Sequence, residues 1–521
     1  MKSKIIMSLS LAAMTFATPA NAQHQFVVNT KPGATIQPTM YGIFFEDINF
    51  GADGGLYAEM VENRSFEFPQ RLMGWNTFGN VQVNDANPAF DRNPHYVTLS
   101  DPMHHEKRTG IENHGFFGMG LKKNMKYDFS VYARTRGNGN GKIRVELIDS
   151  QDEVIAKQSI DIKGNEWNRY TATIASPKTD AKGFMRVYLE GRHAVDLDHV
   201  SLFPQDSWKG LLRADMGHPE PFNLQQIGVG NEQWGPLYPE RLEKFMQAIR
   251  AKYPKMKIVG SSGPSPDDKD GKQFTYGWEQ MTRLKADLVD EHYYRNQEWF
   301  MENVTRYDNY NRKGPKVFAG EYACHVTQPA LPVPEGKNIF EGALYEAAAM
   351  TGFERNADIV QMATYAPLFA HEEGWQWRPD LIWMDNLKTV RTPNYYVQQM
   401  FACNPGTNVL SLTEDKKPVT GQDGLCASAV YDKNTKKYIV KIVNTSNKAQ
   451  QIQLTFKGLK ALPDAGSIQL TTLHSDDPMA CNTVQKPNVI VPVEHATHDV
   501  TVNKNTMTVQ VPARTFALYK F

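Results

Sequence analysis

The feature that most constrains the fold is an alternation of short apolar runs and helical patterns over residues 206–400. Two helical patterns cover residues 239–252 and 342–356. Apolar runs that are typical of buried strands lie at residues 227–230, 257–260, 286–290, 316–320 and 358–363. Strands that alternate with helices pair in parallel. The pattern therefore predicts a (β/α)8-type barrel, whose functional side chains gather at the carboxyl ends of its strands.

Two of the predicted strands end in a glutamate. Glu232 lies in Gly-Val-Gly-Asn-Glu-Gln-Trp-Gly, and Glu321 lies in Val-Phe-Ala-Gly-Glu-Tyr-Ala, 89 positions later. In a barrel this separation corresponds to about three βα units and places the two carboxyl groups on opposing walls of one cleft. Retaining glycoside hydrolysis needs two carboxyl groups about 5–5.5 Å apart. We therefore interpret Glu232 as the general acid/base and Glu321 as the nucleophile; an incidental loop glutamate and a salt-bridge partner are the alternatives.

Six further side chains are candidates for binding a sugar. They are Glu46, Asn231, Trp234, His292, Tyr294 and Trp377. Asn231 can donate to a sugar hydroxyl, Trp234 can stack on a sugar and desolvate Glu232, and the Tyr294 hydroxyl can hold the nucleophile. Simple packing is the alternative for His292, Tyr294 and Trp377.

The rest of the chain has a different pattern. Residues 67–205 contain short strand-like segments separated by glycine-rich turns, and residues 401–521 return to the same pattern. Both regions are predicted to be β-sandwiches. Residues 23–66 are predicted to hold the first barrel strand, because the apolar run 40–45 is typical of a strand that is buried on both faces. The predicted fold class is thus multidomain α/β plus all-β.

Charge and motifs exclude several function classes. Lys and Arg number 57, as do Asp and Glu, so no positive field attracts nucleic acid or anionic lipid. Neutral polysaccharides or oligosaccharides fit this balance. The chain has no C-x-x-C pair and no H-E-x-x-H segment, so we expect no dedicated metal site and no cofactor. Four cysteines in a chain of this length predict mostly buried free thiols. The sequence is compatible with a homo-oligomer as well as with a monomer.

Residues 1–22 resemble a cleavable signal peptide. Lys2 and Lys4 precede an apolar stretch, and Ala20-Asn21-Ala22 is a small-x-small cleavage site. The sequence therefore predicts a secreted or periplasmic protein, and no later apolar run is long enough to span a bilayer.

Several segments resemble glycoside hydrolase family 51. They are Tyr-Gly-Ile-Phe-Phe-Glu-Asp-Ile-Asn, Asp-Gly-Gly-Leu-Tyr-Ala-Glu and Asn-Arg-Ser-Phe-Glu within residues 41–67, together with Gly-Asn-Glu-Gln-Trp-Gly and Gly-Glu-Tyr-Ala. The resemblance implies an exo-acting α-L-arabinofuranosidase that releases terminal residues from arabinan or arabinoxylan. It assigns Glu232 as acid/base and Glu321 as nucleophile, and it implies that Glu46, Asn231 and Tyr294 bind the arabinofuranose. It also implies a carbohydrate-binding-like sandwich inserted into the barrel.

One departure from the family bears on activity. Family members carry an Arg-Phe-Pro-Gly-Gly strand end on the second barrel strand, and this chain has no such segment. The sandwich exit at residues 204–209 runs almost directly into residues 211–219, which in the family precede the fourth strand, so that only about 190 residues are left for strands four to eight. We therefore expect the barrel to lack its second and third βα units, with an Arg and an Asn of the sugar site. A non-catalytic carbohydrate-binding relative and a related retaining hydrolase acting on xylan stay open as alternatives.

Overall fold

The computed structural model describes residues 23–52, 54, 57–101, 108–137, 139–205, 223–268, 273–326, 338–495 and 500–521. The predicted signal peptide and the junction at residues 206–222 lie outside the described residues. Among the residues that are described, no helix is long and apolar enough to cross a membrane. The four cysteines are free thiols, of which Cys324 and Cys426 are buried and Cys403 is exposed.

The inserted region forms two antiparallel sheets. After β1 (His24–Asn29), its strands are β2 (Trp75–Phe78), β3 (Val81–Asn84), β4 (Tyr96–Ser100), β5 (Gly110–Asn113), β6 (Met119–Leu121), β7 (Lys126–Thr135), β8 (Asn140–Ile148), β9 (Val154–Lys163), β10 (Asn168–Ala175), β11 (Asp180–Leu189) and β12 (Ala194–Pro204). One sheet has the order β10-β7-β12-β4-β3, and the other has β2-β5-β11-β8-β9 with β6 beside β11. Alternate residues of β7 are buried, as expected for a sheet with one apolar face. Val131 and Leu197 of one sheet share a core with Val145 and Val187 of the other.

The region that carries both candidate glutamates is an α/β unit. Its elements are β13 (Gln226–Gly228), α1 (Leu237–Lys252), β14 (Lys257–Ser261), α2 (Gln273–Leu284), β15 (Leu288–Arg295), α3 (Gln297–Glu302), β16 (Lys316–Cys324), α4 (Phe340–Arg355), β17 (Val360–Tyr365), β18 (Phe369–His371), β19 (Ile382–Met384), β20 (Thr389–Arg391) and α5 (Pro393–Ala402). Strands β13 to β17 form one parallel sheet in chain order. The alternation in the sequence therefore identified the parallel sheet correctly, and helices α1 and α4 match the two helical patterns. Strands β18 to β20 form a small separate sheet.

The two ends of the parallel sheet do not meet within the described residues. Tyr41 forms a parallel bridge with Ala363 of β17, so the segment around Tyr41 extends the sheet at that end. At the other end, β13 pairs with β14 and with no other strand of the described ranges. The run 40–45 was predicted to be buried on both faces, and this is wrong for its second half: Ile43 is 79% exposed and Phe45 is 46% exposed. The reason is that no described strand covers the side of this segment that faces away from β17.

The C-terminal region forms a continuous sheet around its own core. Its strands are β21 (Asn408–Glu414), β22 (Lys417–Pro418), β23 (Thr420–Gln422), β24 (Leu425–Asp432), β25 (Lys437–Asn444), β26 (Gln450–Lys457), β27 (Gln469–His474), β28 (Val493–His495), β29 (Thr501–Asn503), β30 (Thr506–Val511) and β31 (Thr515–Lys520), with a 3-10 helix at Ala465–Ser467. The order is β28-β27-β31-β25-β24-β21-β1-β26-β30-β29. Strand β1 was assigned from the sequence to the N-terminal barrel segment, but it pairs with β21 and β26 here. Partners so distant along the chain leave no local sequence signal.

A buried ion pair joins the α/β unit to the C-terminal sheet. Lys441 of β25 and Glu354 of α4 are in contact, and both side chains are fully buried. The Glu354 carboxylate also accepts hydrogen bonds from Tyr41 at 3.3 Å and from Ser428 at 2.5 Å. Since Tyr41 is the residue that extends the parallel sheet, this contact ties the first strand segment to the C-terminal domain.

Candidate active site

Glu232 lies in the loop that follows β13. Its φ is 54°, a left-handed conformation that is uncommon for a residue other than glycine. The loop is held by the Tyr238 hydroxyl, which donates to the backbone oxygen of Val229 at 2.7 Å. A strained backbone fixed by neighbouring contacts is common where a side chain must point in one direction for function.

Glu321 lies in β16, within the parallel sheet. Its side chain is nearly buried, with 7% of the residue exposed. The Tyr294 hydroxyl, at the end of the adjacent strand β15, donates to Glu321 Oε2 at 2.8 Å. The structure therefore brings Tyr294 to the position that the sequence predicts, beside the candidate nucleophile.

His292 lies between the two glutamates. Its Nδ1 is 3.0 Å from Glu232 Oε1 and 3.5 Å from Glu321 Oε2, while its Nε2 is 3.0 Å from Asp290 Oδ2. One carboxylate oxygen of each glutamate and a ring nitrogen of His292 all lie within 4.8 Å of one another. The register of β15 against β16, which sets Cα of His292 opposite that of Glu321, produces this arrangement. Asp290 was not predicted from the sequence as a site residue.

The charges at this site are coupled. Burial lowers the pKa of His292, but hydrogen bonds to Asp290 and Glu232 outweigh it and raise the pKa to about 10. His292 is therefore a cation at neutral pH. Burial raises the pKa of Glu321, against the opposing effects of the His292 charge and the Tyr294 hydrogen bond. Burial also raises the pKa of Glu46, helped by the negative charge of Glu232, which places Glu46 within electrostatic reach of the site.

Three of these groups have the spacing of a metal site, namely Glu232, His292 and Glu321. However, both ring nitrogens of His292 face carboxylates, and a metal ligand must be a neutral imidazole with a free lone pair. The protonated His292 ring already supplies a positive charge that stabilises the neighbouring carboxylates. The arrangement thus suits two carboxyl groups held by an imidazolium better than a metal ion.

An aromatic cluster borders the site. The ring centroids of Tyr294, His325 and Trp377 lie 5.1 to 5.5 Å from one another. His325 was not predicted from the sequence, although it lies four residues after Glu321. Its Nε2 is buried and has no hydrogen-bond partner among the described residues. Burial, together with the charges of Arg295 and Arg378, lowers the pKa of His325 to about 4, so the ring is neutral at ordinary pH.

Two of the residues that were predicted to bind sugar are exposed in the structure. Trp234 is 59% exposed, so the wall that was predicted to desolvate Glu232 is not built by this ring in the structure. The reason is that Trp234 follows β13, beyond which no described strand lies. Asn231 is exposed, and its backbone oxygen accepts a hydrogen bond from the Gln233 side chain at 2.6 Å.

Replacing Tyr294 with phenylalanine tests the hydrogen bond to Glu321. This bond favours the ionised carboxylate, so its loss raises the pKa of Glu321 further. We expect the acid limb of the pH profile of kcat/KM to move to higher pH. We also expect kcat to fall by about 10- to 100-fold, as for a hydrogen bond to a charged group. Tyr310→Phe is a suitable control, because Tyr310 donates to Glu291 rather than to Glu321. An unchanged acid limb in Tyr294→Phe would contradict the assignment.

Three family models match successive parts of the chain. A carbohydrate binding domain matches residues 58–195, an alpha-L-arabinofuranosidase 1 domain matches residues 180–312, and an alpha-L-arabinofuranosidase C-terminal domain matches residues 320–514. The two arabinofuranosidase models thus include both candidate glutamates.

Individual relatives agree with these models. An extracellular exo-alpha-L-arabinofuranosidase of Streptomyces chartreusis is 31% identical over 546 positions, which cover 75% of this chain and 63% of that protein. The chain therefore spans less than two thirds of this relative. Alpha-L-arabinofuranosidase 1 of Arabidopsis thaliana is 25% identical over 636 positions, which cover 94% of this chain and 89% of that protein. Because this chain has 521 residues, at least 115 of those 636 positions have no counterpart in it.

A solved structure shares the fold. The arabinose-bound structure of MgGH51 α-L-arabinofuranosidase superposes with a TM-score of 0.80 and 23% sequence identity, covering 95% of this chain and 99% of that one. The family models and the relatives agree with the resemblance carried by the segments within residues 41–67, and the solved structure agrees with the fold. The chain belongs to glycoside hydrolase family 51, the α-L-arabinofuranosidases.

Proposed function

We propose that this chain is a retaining, exo-acting α-L-arabinofuranosidase that removes terminal arabinofuranosyl residues from arabinan or arabinoxylan. The observation that carries the proposal is the pair Glu232 and Glu321, whose carboxylates approach one imidazolium so closely that the three groups lie within 4.8 Å. Carboxyl groups about 5–5.5 Å apart support retention, because an inverting enzyme leaves about 6.5–9.5 Å for a water molecule between them.

The reaction then proceeds in two displacements. Glu232 gives its proton to the glycosidic oxygen while a Glu321 oxygen attacks the anomeric carbon, so that the C–O bond to the leaving group breaks and a glycosyl ester forms. Glu232, now ionised, takes a proton from water as the water oxygen attacks the anomeric carbon. The ester bond breaks, arabinose leaves and Glu321 is again a carboxylate. His292 and Tyr294 hold Glu321 in place through both steps.

The remaining predicted residues are assigned to substrate binding. Glu46 and Asn231 bind sugar hydroxyls, and Trp234 and Trp377 offer ring faces to sugars. Residues 67–205 act as a carbohydrate-binding sandwich, while residues 206–400, with the strand segment from 23–66, form the catalytic unit next to the sandwich of residues 401–521. Secretion after removal of residues 1–22 is consistent with a polymeric substrate, and the Streptomyces relative is named extracellular.

We also propose that the barrel is shortened by its second and third βα units. Two observations support this: among the described residues no strand pairs with the second side of β13, and 115 or more positions are unmatched against the Arabidopsis relative. The same observations favour a second candidate function, a carbohydrate-binding relative that has lost catalysis.

Hydrolysis of 4-nitrophenyl α-L-arabinofuranoside separates these functions. The proposed enzyme releases 4-nitrophenol, and proton NMR of the first-formed sugar shows the α-anomer. No release, with arabino-oligosaccharides still bound, would identify the non-catalytic relative. Faster release from 4-nitrophenyl β-D-xyloside would identify the xylan-acting alternative.

The pH dependence of kcat/KM tests the two carboxyl groups together. Double displacement requires an ionised nucleophile and a protonated acid, so kcat/KM rises with pH as the nucleophile loses its proton and falls as the acid loses its own. Because burial raises the pKa of Glu321, the rising limb lies above the usual range of a glutamate. We expect a bell-shaped profile with its optimum on the acid side of neutrality. A flat profile through the mildly acidic range would contradict two coupled carboxyl groups.

A further inference from the structure

Asn49 has an unusual set of contacts near the site. It lies three residues after Glu46, is 2% exposed and has a left-handed φ of 57°. Its backbone oxygen accepts a hydrogen bond from the amide of His371 at 2.9 Å, which fixes this segment beside β18. Neither the resemblance to the family nor the chemistry of the paired glutamates assigns it a role.

The side-chain amide of Asn49 is fully hydrogen-bonded to one loop. Its Oδ1 accepts from the backbone amides of Gln376 at 2.7 Å and Trp377 at 3.0 Å. Its Nδ2 donates to the backbone oxygen of Trp377 at 3.0 Å and to Asp380 Oδ1 at 2.8 Å. A single buried side chain thus supplies four hydrogen bonds to residues 376–380.

The loop of residues 376–380 carries Trp377, whose ring borders the site. The Trp377 and Tyr294 rings pack edge to face with their centroids 5.1 Å apart, and the Tyr294 hydroxyl donates to Glu321. The segment that carries Asn49 also carries Glu46. Besides burial, the charge of Glu232 raises the pKa of Glu46 and the charge of His292 lowers it, so Glu46 lies close to both groups. Asn49 therefore joins two segments that approach the catalytic carboxyl groups from different parts of the chain.

We infer that Asn49 is a positioning residue that sets the Trp377 ring against the bound sugar and so determines sugar affinity. The inference rests on the proposed function in that it takes Trp377 as a sugar contact. Asn49 is 2% exposed and its side-chain hydrogen bonds go to residues 376–380, so we assign it an effect through Trp377 rather than a sugar contact of its own. An amide is required because both N–H donors and the acceptor oxygen are in use, and an aspartate would place a second carboxylate beside Asp380.

The chain offers a matched control for this inference. Asn63 is 6% exposed, has a φ of 51°, and also links loop backbone: its Nδ2 donates to the oxygens of Arg71 and Met73, and its Oδ1 accepts from the amide of Phe68 at 3.2 Å. These contacts lie next to the inserted sandwich. Glycine adopts a left-handed φ readily, so Asn49→Gly and Asn63→Gly remove the amide without straining the backbone.

Hydrogen exchange followed by mass spectrometry measures the contact itself in the full chain, without any need for catalysis. In Asn49→Gly we expect the amides of Gln376 and Trp377 to exchange at least about tenfold faster, with Phe68 unchanged. In Asn63→Gly we expect the reverse. Equal protection of residues 376–377 in both variants would overturn the inference whether or not the chain is an active hydrolase.

Sugar affinity separates positioning from a general loss of stability. We expect Asn49→Gly to raise KM for arabino-oligosaccharides, and Kd for L-arabinose by calorimetry, about tenfold, while kcat changes less than about threefold. Because the effect passes through Trp377, Asn49→Gly combined with Trp377→Ala should lose no more affinity than Trp377→Ala alone. Asn63→Gly should leave both constants unchanged. Additive losses in the double variant, or equal losses from Asn63→Gly, would overturn the inference. Absence of hydrolysis in the parent chain would overturn only the proposed function.

Discussion

Replacing Glu321 with alanine is expected to lower kcat on 4-nitrophenyl α-L-arabinofuranoside by about 10⁴-fold or more. Glu321 is the proposed nucleophile of the glycosyl ester, and removal of a covalent nucleophile commonly has an effect of this size. Azide should restore turnover by direct attack on the anomeric carbon, which yields the inverted β-azide. Glu243→Ala is a matched control, since Glu243 lies on α1, has a side chain that is 46% exposed and forms an ion pair only with Arg283 among the described residues.

Glu232→Ala should show a different dependence on the leaving group. Arabino-oligosaccharides need a proton on the departing oxygen, whereas 4-nitrophenolate leaves without one. We therefore expect a much larger loss of activity on the oligosaccharides than on the aryl substrate. An equal loss on both would contradict the assignment of Glu232 as acid/base, and appreciable activity in Glu321→Ala without azide would contradict the nucleophile.

The second large effect concerns the unpaired ends of the parallel sheet. A closed barrel has no strand edges, but here the segment around Tyr41 and strand β13 both lack a described neighbour on one side. Apolar side chains are exposed near these ends: Ile43, Phe45, Leu224, Trp234, Leu237 and Phe245. At about 25 cal/mol per Å², exposing a few hundred Å² of apolar surface costs several kcal/mol, which rivals a total stability of about 5–15 kcal/mol.

We therefore expect the 521-residue chain to self-associate or to be poorly soluble, as measured by size-exclusion chromatography with light scattering. The double variant Leu237→Lys/Phe245→Lys, on α1 beside β13, should reduce the association. Val154→Lys should not, because the 46% exposed Val154 lies in the inserted sandwich.

We also expect kcat/KM to be at least about a hundredfold lower than that of a full-length relative. The resemblance implies that the missing units carry an Arg and an Asn of the sugar site, each contributing about 1–3 kcal/mol. A soluble monomer with the full activity of such a relative would contradict both expectations and show that the missing units are dispensable.

Local pattern explains what was predicted correctly. The spacing of apolar runs and helices identified the parallel sheet, and the α/β plus all-β fold class is confirmed in this coarse form. Glu232 and Glu321 were found because a glutamate directly after an apolar strand is visible within a window of a few residues. Tyr294 was found for the same reason, and the structure places its hydroxyl on Glu321. The catalytic roles of these residues remain predictions.

The sequence by itself thus determined the strand-forming runs and the carboxyl groups at their ends, since both depend on neighbouring residues. Only the tertiary structure decided which groups meet. The pairing of β1 with β21 and β26, the link from Asn49 to Trp377, and the position of His325 beside Tyr294 join residues that are tens to hundreds of positions apart. Asp290 lies two residues from His292, yet its role appears only once the ring nitrogens are seen to face three carboxylates. Such contacts depend on strand register and loop packing, which hydrophobic periodicity does not encode.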